Sequence, residues 1–381
     1  MKESRPIGVD TLFILRRKPG GIGGAERVAE RFEESFRHYW NTVRLAAGSS
    51  WNGVSIGGAG GPPWWRSWRY VRAVDRLGLK RPGNLVFSME PGPECDVYRA
   101  GDGVHLRQVR RRYGCSPLWR LNPWHWLAPR MEYKGMRSAR AVVANSRMVK
   151  KDIARAYPDI EPKVTVIHNG YDEKVFFPAE CPKTELRKPL GLPEDALILL
   201  FSGSGFERKG LGEALAITAE AKRRFSAAGK PVLILVAGRG HAAPYGRRIR
   251  REGLADSVRF LGSVDAIADY YRAADCMVLP TLYDPFSNST LEALACGCPV
   301  ITTVHNGASE LVHEGMTGYI LGNLDPQADR AAAVSFLENL DCDPHQITRS
   351  VLSRRLESEL REFIELFESL ASTAPRERRR I

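Results

Sequence analysis

The stretch TLYDPFSNSTLEALACGCPVITT, Thr281 to Thr303, decides how this chain is read. An apolar, strand-like run, CMVLPT, leads into it. A polar loop from Asp284 to Ser289 then opens onto the helical pattern STLEALA. Gly297, Cys298 and Pro299 stop that helix, and VITT resumes as a strand. Strand, loop, helix, turn and strand in that order form the unit of a parallel sheet with helical crossovers. In open sheets of this kind, ligands bind beyond the carboxyl ends of the strands. Asp284 therefore opens a loop at the ligand end, and Glu292 lies on the helix that follows. A carboxylate on that helix can grip a ribose diol, and one at the loop start can take sugar hydroxyls. Between them, the loop Pro285 to Ser289 supplies backbone N–H groups, from Phe286, Ser287, Asn288 and Ser289, at a helix N-terminus.

The same alternation extends outward in both directions. Upstream of the stretch lie the strand ALILLFSGSG, the helix LGEALAITAEAKRRF and the strands PVLILVAG and VRFLGSV. An irregular, proline-bearing segment, YDEKVFFPAECPKTELRKPLGLPED, precedes them and reads as a linker. Before the linker a first series runs TLFILRR, KPGGIGGAE, RVAERFEESFRHY, NLVFSME, ARAVVANS and KVTVIHNG. The chain thus reads as two doubly wound α/β domains in series, with a cleft between facing strand ends. The expected domains are 1–178 and 179–350, followed by a C-terminal segment 351–381. In that segment Leu352, Leu356, Leu360, Phe363, Phe367 and Leu370 recur at helical steps.

Composition narrows the function classes. The chain has 381 residues, 43% hydrophobic and 26% charged, which is the balance of a globular protein. No apolar run approaches the ~20 residues of a membrane span, and the N-terminus MKESRPIGVD has no signal-like core. Its seven cysteines are scattered, without zinc-site spacing, and read as reduced thiols. Residues 1–178 hold 31 Lys and Arg against 17 Asp and Glu, whereas residues 179–381 hold 25 against 27. An anionic partner for the first half follows from that asymmetry.

Two further loops carry candidate chemistry. In KPGGIGGAE, Gly20, Gly21, Gly23 and Gly24 stand between a strand and a helix. They either let backbone approach an anion or simply make a tight turn. In GSGFERKG, Arg208 and Lys209 follow a strand and precede a helix, where they suit a diphosphate clamp or a solvated basic turn. PPWWRSWRYVRAVDRL, Pro62 to Leu77, aligns Trp64, Trp68, Val71 and Val74 on one helical face and Arg66, Arg69, Arg72 and Arg76 on another. A membrane interface and a core-packed helix both accommodate that pattern. The segment from His105 to Gly135 adds Arg107, Arg110, Arg111, Arg112 and Arg120 with Trp119, Trp124 and Trp126.

Taken together, Leu279 to Gly318 resembles the signature region of the GT-B glycosyltransferases of family four. The features are Asp284-x7-Glu292, Gly297-Cys298-Pro299-Val300-Ile301, Asn306-Gly307 and Glu310, with Arg208-Lys209-Gly210, VAG, VRFLGSV and YYRAADCMVLPT in family order. The first acid of the pair is Asp284 where the family carries Glu, one methylene longer, which leaves the donor sugar open. Within the family, CDVYRAGDGVH, Cys95 to His105, is similar to the lipopolysaccharide-core glucosyltransferase I group, whose last acid there matches Asp102. That group's second basic pair corresponds to Arg247 and Arg248.

The resemblance implies a GT-B fold, with two Rossmann-like domains facing across a cleft and the C-terminal helix crossing back to the N-terminal domain. It implies a retaining hexosyl transfer from a UDP-sugar co-substrate, without metal or other cofactor. The residues carried over for catalysis are Asp102, Arg208, Lys209 and Asp284. For the donor they are Gly23, Gly24, Arg208, Lys209, Arg247, Arg248, Asp284, Phe286, Ser287, Asn288, Ser289 and Glu292. Glucose is the expected sugar, with UDP-GlcNAc or GDP-mannose as alternative donors. The expected acceptor is a lipid-linked anionic glycan such as the lipopolysaccharide core. Cytoplasmic location, peripheral on the inner face of the membrane, follows from the same group. A nicotinamide-dependent oxidoreductase is disfavoured because no G-x-G-x-x-G fingerprint is present. A nucleic-acid-binding protein would leave the paired acids of the second half unexplained.

Overall fold

The computed structural model describes residues 9–17, 24–51, 54–57, 60–114, 116–322 and 325–372. Two compact units divide the chain, one formed by residues 1–168 with 357–381, the other by 169–356. Each is built on a six-stranded sheet in which every pair is parallel.

The first unit runs β1 (Val9–Leu15), α1 (Gly24–Phe36), β2 (Asn41–Leu45), a short hairpin of β3 (Ser50–Trp51) and β4 (Val54–Ser55), α2 (Pro63–Arg76), β5 (Gly83–Ser88) and β6 (Val97–Ala100). It continues through α3 (His105–Tyr113), α4 (Trp124–Ser138), β7 (Ala141–Ala144), α5 (Arg147–Ala156) and β8 (Val164–Val166). The strand order is β2-β1-β5-β6-β7-β8, so the order reverses between β1 and β5. Both faces of the sheet are covered, and the alternation along β1 shows how. Leu12 and Ile14 join Phe32 and Phe36 of α1, while Phe13 and Leu15 join Tyr70 and Val74 of α2 and Ile153 of α5.

The second unit contains α6 (Lys183–Arg187), β9 (Leu197–Ser202), α7 (Leu211–Ser226), β10 (Val232–Ala237), α8 (Gly246–Arg251), β11 (Val258–Gly262) and α9 (Ile267–Ala273). It ends with β12 (Cys276–Leu279), α10 (Asn288–Ala295), β13 (Val300–Thr303), β14 (Gly318–Leu321), α11 (Pro326–Glu338) and α12 (Pro344–Ser350). The order β11-β10-β9-β12-β13-β14 reverses between β9 and β12. The runs LILLFS and VLILVA are buried at every position, as strands covered on both faces must be. The expected helix and strand of the stretch from Thr281 to Thr303 are α10 and β13.

The last helix, α13 (Leu356–Ser372), packs on the first unit. Phe363 and Phe367 are fully buried against Phe32, Phe36 and Phe87, with ring centroids 5.0–6.5 Å apart. Glu359 lies buried beside them, its carboxylate 2.5 Å from Arg31 Nη2 and 3.8 Å from the buried Arg99. The helical pattern predicted from Leu352 begins later than expected. Leu352 sits in a separate 3-10 turn, because Arg355 adopts extended backbone and breaks the helix before Leu356. The basic tail, 373–381, lies outside the described residues.

Helix α2 divides its faces differently from the sequence expectation. Ser67, Tyr70, Val71 and Val74 face the core. Trp64 and Trp68 are only half-buried, and Trp65 is 38% exposed. The buried stripe follows the contact with β2, where the Tyr70 hydroxyl donates to Leu45 O at 2.8 Å.

A buried acid sits between α3, α4 and α5. Glu132 accepts from the His105 backbone N–H (2.9 Å) and from the Tyr157 hydroxyl (3.0 Å). Burial pushes its carboxyl up to about 8, and burial pushes the neighbouring His105 imidazole down to about 4. Between the ordinary carboxylate range and pH 8, the folded Glu132 holds a proton that the unfolded chain releases, so its contribution to stability is lost as pH rises. His105 acts in the opposite sense, but only below its ordinary value near 6.5. Stability of the first unit should therefore fall from pH 6.5 to 8, by at most ~1.4 kcal/mol per pH unit from this group. Glu132→Gln should flatten that slope in urea unfolding; equal slopes in both proteins would refute the assignment.

Candidate functional site

In the second unit the sheet reverses direction between β9 and β12, and two loops leave the carboxyl ends of these strands side by side. The first, after β9, carries Arg208 and Lys209. The second, after β12, carries Asp284. Lys209 Nζ lies 2.5 Å from Asp284 Oδ2, and both residues are more than 90% buried. Arg208 approaches the same oxygen at 3.6 Å with its side chain half exposed. Burial alone would raise the Asp284 carboxyl. The Lys209 ammonium, then the Arg208 guanidinium and the hydrogen bonds from Lys209 and the Phe286 backbone N–H outweigh it, and hold the carboxyl below its ordinary range.

Local chain geometry makes this pairing available. Gly210 adopts φ +80°, and a Cβ there would lie 1.9 Å from Pro280 O. Only glycine lets α7 start so close to the end of β12. The Lys209 side chain in turn lies against Gly203, where a Cβ would meet it at 3.2 Å. Two bonds tie the loops together, from Leu282 N and Thr281 Oγ1 to Arg208 O (2.9 and 3.0 Å).

The loop from Asp284 to Ser289 is held by one buried side chain, Asn306. Its Oδ1 accepts from Ser287 N and Ala308 N, and its Nδ2 donates to Thr290 Oγ1 and Thr302 Oγ1, at 2.9–3.2 Å. All of its hydrogen-bonding capacity is spent on fixing the loop to β13 and α10. Phe286 turns its ring into the core, so its backbone rather than its side chain serves the site. Ser287 and Ser289 share a hydroxyl–hydroxyl bond of 2.9 Å, and Asn288 Oδ1 accepts from Asn169 Nδ2 at 2.7 Å. On α10, Glu292 Oε2 accepts from the buried Tyr271 hydroxyl at 3.4 Å, and Tyr271 also shares a 2.9 Å bond with Ser202 at the end of β9. Arg208, Lys209, Asp284 and Glu292 thus all depend on β9 and β12.

Arg247 and Arg248 lie on α8. Arg247 is exposed, while Arg248 donates to Glu252, just past the end of α8, at 2.7 Å. Gly23 falls outside the described residues, and Gly24 is the first residue of α1.

Asp102 stands in the first unit, just after β6, with a 63% exposed side chain. Its Oδ2 accepts from Arg16 Nη1 at 3.3 Å. Arg16, at the end of β1, is buried; it also donates to Met89 O (2.9 Å) and lies 3.5 Å from Glu90. Here too the group spans the reversal of strand order, between β1 and β5. Sequence reading overlooked Arg16, Glu90, Asn306, Tyr271 and Ser202 as site residues. Asn306 lies in the signature region with the loop it holds; the other four are far along the chain from the residues they hold, and strand order brings them together. Among the described residues, no group of three or more His, Cys, Asp or Glu is arranged to hold a metal ion.

Removing one member of a buried ion pair leaves the other uncompensated. Lys209→Met should therefore destabilise the second unit by about 3 kcal/mol in denaturant unfolding. Lys209→Met combined with Asp284→Asn should lose clearly less. Equal losses for the single and double variants would show that the pair carries no coupling.

Comparison with known proteins follows the same division. Residues 22–175 match the family described as Glycosyltransferase Family 4, and residues 196–339 match Glycosyl transferases group 1. A D-inositol 3-phosphate glycosyltransferase 2 from Catenulispora acidiphila is 34% identical over 218 residues, 55% of this chain and 50% of the relative. The chain spans about half the length of the curated relatives it matches. The crystal structure of WaaG, a glycosyltransferase involved in lipopolysaccharide biosynthesis, superposes with a TM-score of 0.74 at 17% identity, covering 96% of this chain and 100% of that one. HepE of Anabaena, solved in complex with UDP and glucose, gives 0.65 at 18% identity, covering 94% and 100%. One glycosyltransferase family description thus matches each half of the chain, Glycosyltransferase Family 4 the first and Glycosyl transferases group 1 the second, on the two-sheet GT-B fold shared with these structures.

Proposed function

We propose that the protein transfers a hexose from a UDP-sugar to an anionic acceptor, with retention at the anomeric carbon and without a metal ion. The observation that carries this reading is the grouping of Arg208, Lys209, Asp284 and Glu292 at the strand reversal of the second unit. In the reaction the bond from the sugar C1 to the diphosphate oxygen breaks, and negative charge grows on the departing diphosphate. Arg208, exposed and pointing its guanidinium beside Asp284, and Lys209 behind it can stabilise that charge. Asp284 limits Lys209 as a phosphate ligand, and holds it ready to redistribute its hydrogen bonds. Glu292, oriented by Tyr271, is assigned to the ribose diol, and Asp284 to the sugar hydroxyls. Ser287, Asn288 and Ser289 are assigned to the donor through the loop, Phe286 through its backbone, and Arg247 and Arg248 as auxiliary cations. Asp102 is assigned to the acceptor hydroxyl, taking its proton or stabilising the cationic sugar; Gly23 and Gly24 are assigned to the phosphates.

The finer reading names UDP-glucose as donor and a lipid-linked glycan of the lipopolysaccharide-core type as acceptor, with the protein peripheral on the cytoplasmic face of the inner membrane. Support comes from the surface after Asp102. Leu118, Leu121 and Trp126 are 64%, 80% and 49% exposed, next to the exposed Arg110 and Arg120. Exposed apolar side chains and exposed arginines in one segment suit an anionic interface. Among the described residues no helix is long and apolar enough to cross a membrane. A second reading, with a phosphorylated cyclitol as acceptor, is favoured by the D-inositol 3-phosphate glycosyltransferase at 34% identity.

Transfer from UDP-glucose, UDP-GlcNAc and GDP-mannose to extracted lipid-linked glycans and to D-inositol 3-phosphate, read by product mass, separates these acceptors. Glu292→Ala should lower kcat/KM about 10- to 100-fold, the loss expected for a charged hydrogen bond; transfer at the wild-type rate would overturn the site. Binding to vesicles of anionic lipid should weaken steeply with salt, since screening acts over ~8–10 Å. Binding indifferent to both salt and lipid charge would remove the membrane assignment.

A further inference from the structure

Helix α2 carries a row of cations that the donor site does not use. Arg69, Arg72 and Arg76 are exposed on one face at steps of three and four, where like charges repel. Among the described residues none of the three has a carboxylate partner. The one acid of the helix, Asp75, faces elsewhere, bonded to Lys134 and to Glu94 N (3.0 Å). The arginines line a cavity of about 260 Å³ whose other walls include Trp65, Trp68 and Gly57. Trp65 and Trp68 stack with centroids 4.8 Å apart and planes 18° from parallel, and the Arg72 guanidinium lies 4.8 Å over the Trp68 ring. The cavity therefore joins a flat aromatic wall to uncompensated positive charge.

Its size and place narrow the ligand. The volume lies below the ~300–1,000 Å³ of drug-sized sites, so one ring fits better than a nucleotide. The hairpin that leads to Gly57 leaves the carboxyl end of β2, where Ala47 N donates to Arg17 O at 2.8 Å. Tyr70 anchors α2 to the same end through Leu45 O. This is the end of the sheet that bears Arg16 and Asp102.

We propose that this pocket binds a phosphate ester carried on a single sugar or cyclitol ring, with Arg69, Arg72 and Arg76 on the phosphate and the Trp65–Trp68 wall against the ring. Guanidinium groups match phosphate oxygens bidentately, and the apolar face of a ring lies well on indole. That the ring belongs to the acceptor rests on the transfer reaction proposed above; the binding itself does not.

The test is titration of the full chain, followed by tryptophan fluorescence and calorimetry. The soluble probes are inositol 1-phosphate, inositol and inorganic phosphate. The lipid probes are vesicles of phosphatidylcholine with or without phosphatidylinositol. Inositol 1-phosphate should bind, and Arg69→Gln with Arg72→Gln should raise its Kd at least tenfold. Trp65→Ala, at an exposed position, should raise it several-fold. Glu292→Ala should leave this Kd unchanged even as transfer falls, so failure of the reaction and failure of the pocket are separable. Arginine-dependent binding of phosphatidylinositol vesicles alone would assign the phosphate to a lipid headgroup and still support the site. Inositol or inorganic phosphate binding as tightly as inositol 1-phosphate would overturn the proposal, as would a folded arginine variant with unchanged affinity or the absence of binding by every probe.

Discussion

The buried pair of Lys209 and Asp284 is the contact on which the second unit's site depends. A lysine and an aspartate more than nine-tenths buried would each carry a heavy desolvation cost alone. At 2.5 Å they offset one another, and the offset requires that the loops after β9 and β12 meet. Those loops meet because the strand order reverses there. Gly210 permits the approach, and Asn306 locks the second loop once it has arrived. The site is therefore a consequence of sheet topology expressed through one charge pair.

The first unit repeats the arrangement with different residues. Its strand order reverses between β1 and β5, and there a buried arginine, Arg16, meets Glu90 and the exposed Asp102. The chemistry differs in a telling way. In the second unit the acid is buried and one cation is exposed, which leaves positive charge facing outward. In the first unit the cation is buried and the acid is exposed, which leaves a carboxylate facing outward. In the transfer proposed above, the former is assigned to a leaving diphosphate and the latter to an attacking hydroxyl.

The two families' models meet a chain whose halves also differ in charge. The excess of cations is confined to residues 1–178, and much of it lies on α2 and in the segment around α3 and α4. Internal pairing absorbs part of this excess, as in Arg107 with Asp152 at 2.8 Å and Lys134 with Asp75. The arginines of α2 are not absorbed in this way. Unpaired like charges on a single helix are tolerated where they meet an anion or water, and here they border a cavity with an aromatic wall.

Local signals made much of this legible. The alternation of apolar runs and helical patterns specified two parallel α/β units, because each strand buried on both faces must read as continuous apolar sequence. Asp284 and Glu292 were visible because a loop and the helix after it keep fixed spacing. The tertiary structure decided what depends on residues far apart in the chain. Strand order alone put Lys209 beside Asp284, Arg16 beside Asp102, and Tyr271 between Ser202 and Glu292. It also decided that Phe286 faces the core, that on α2 Trp65 is more exposed than Trp64, and that α13 closes over Phe32 and Phe36. Spacing along a chain encodes neighbours within one element, whereas packing across a sheet depends on an order of strands that no local pattern carries.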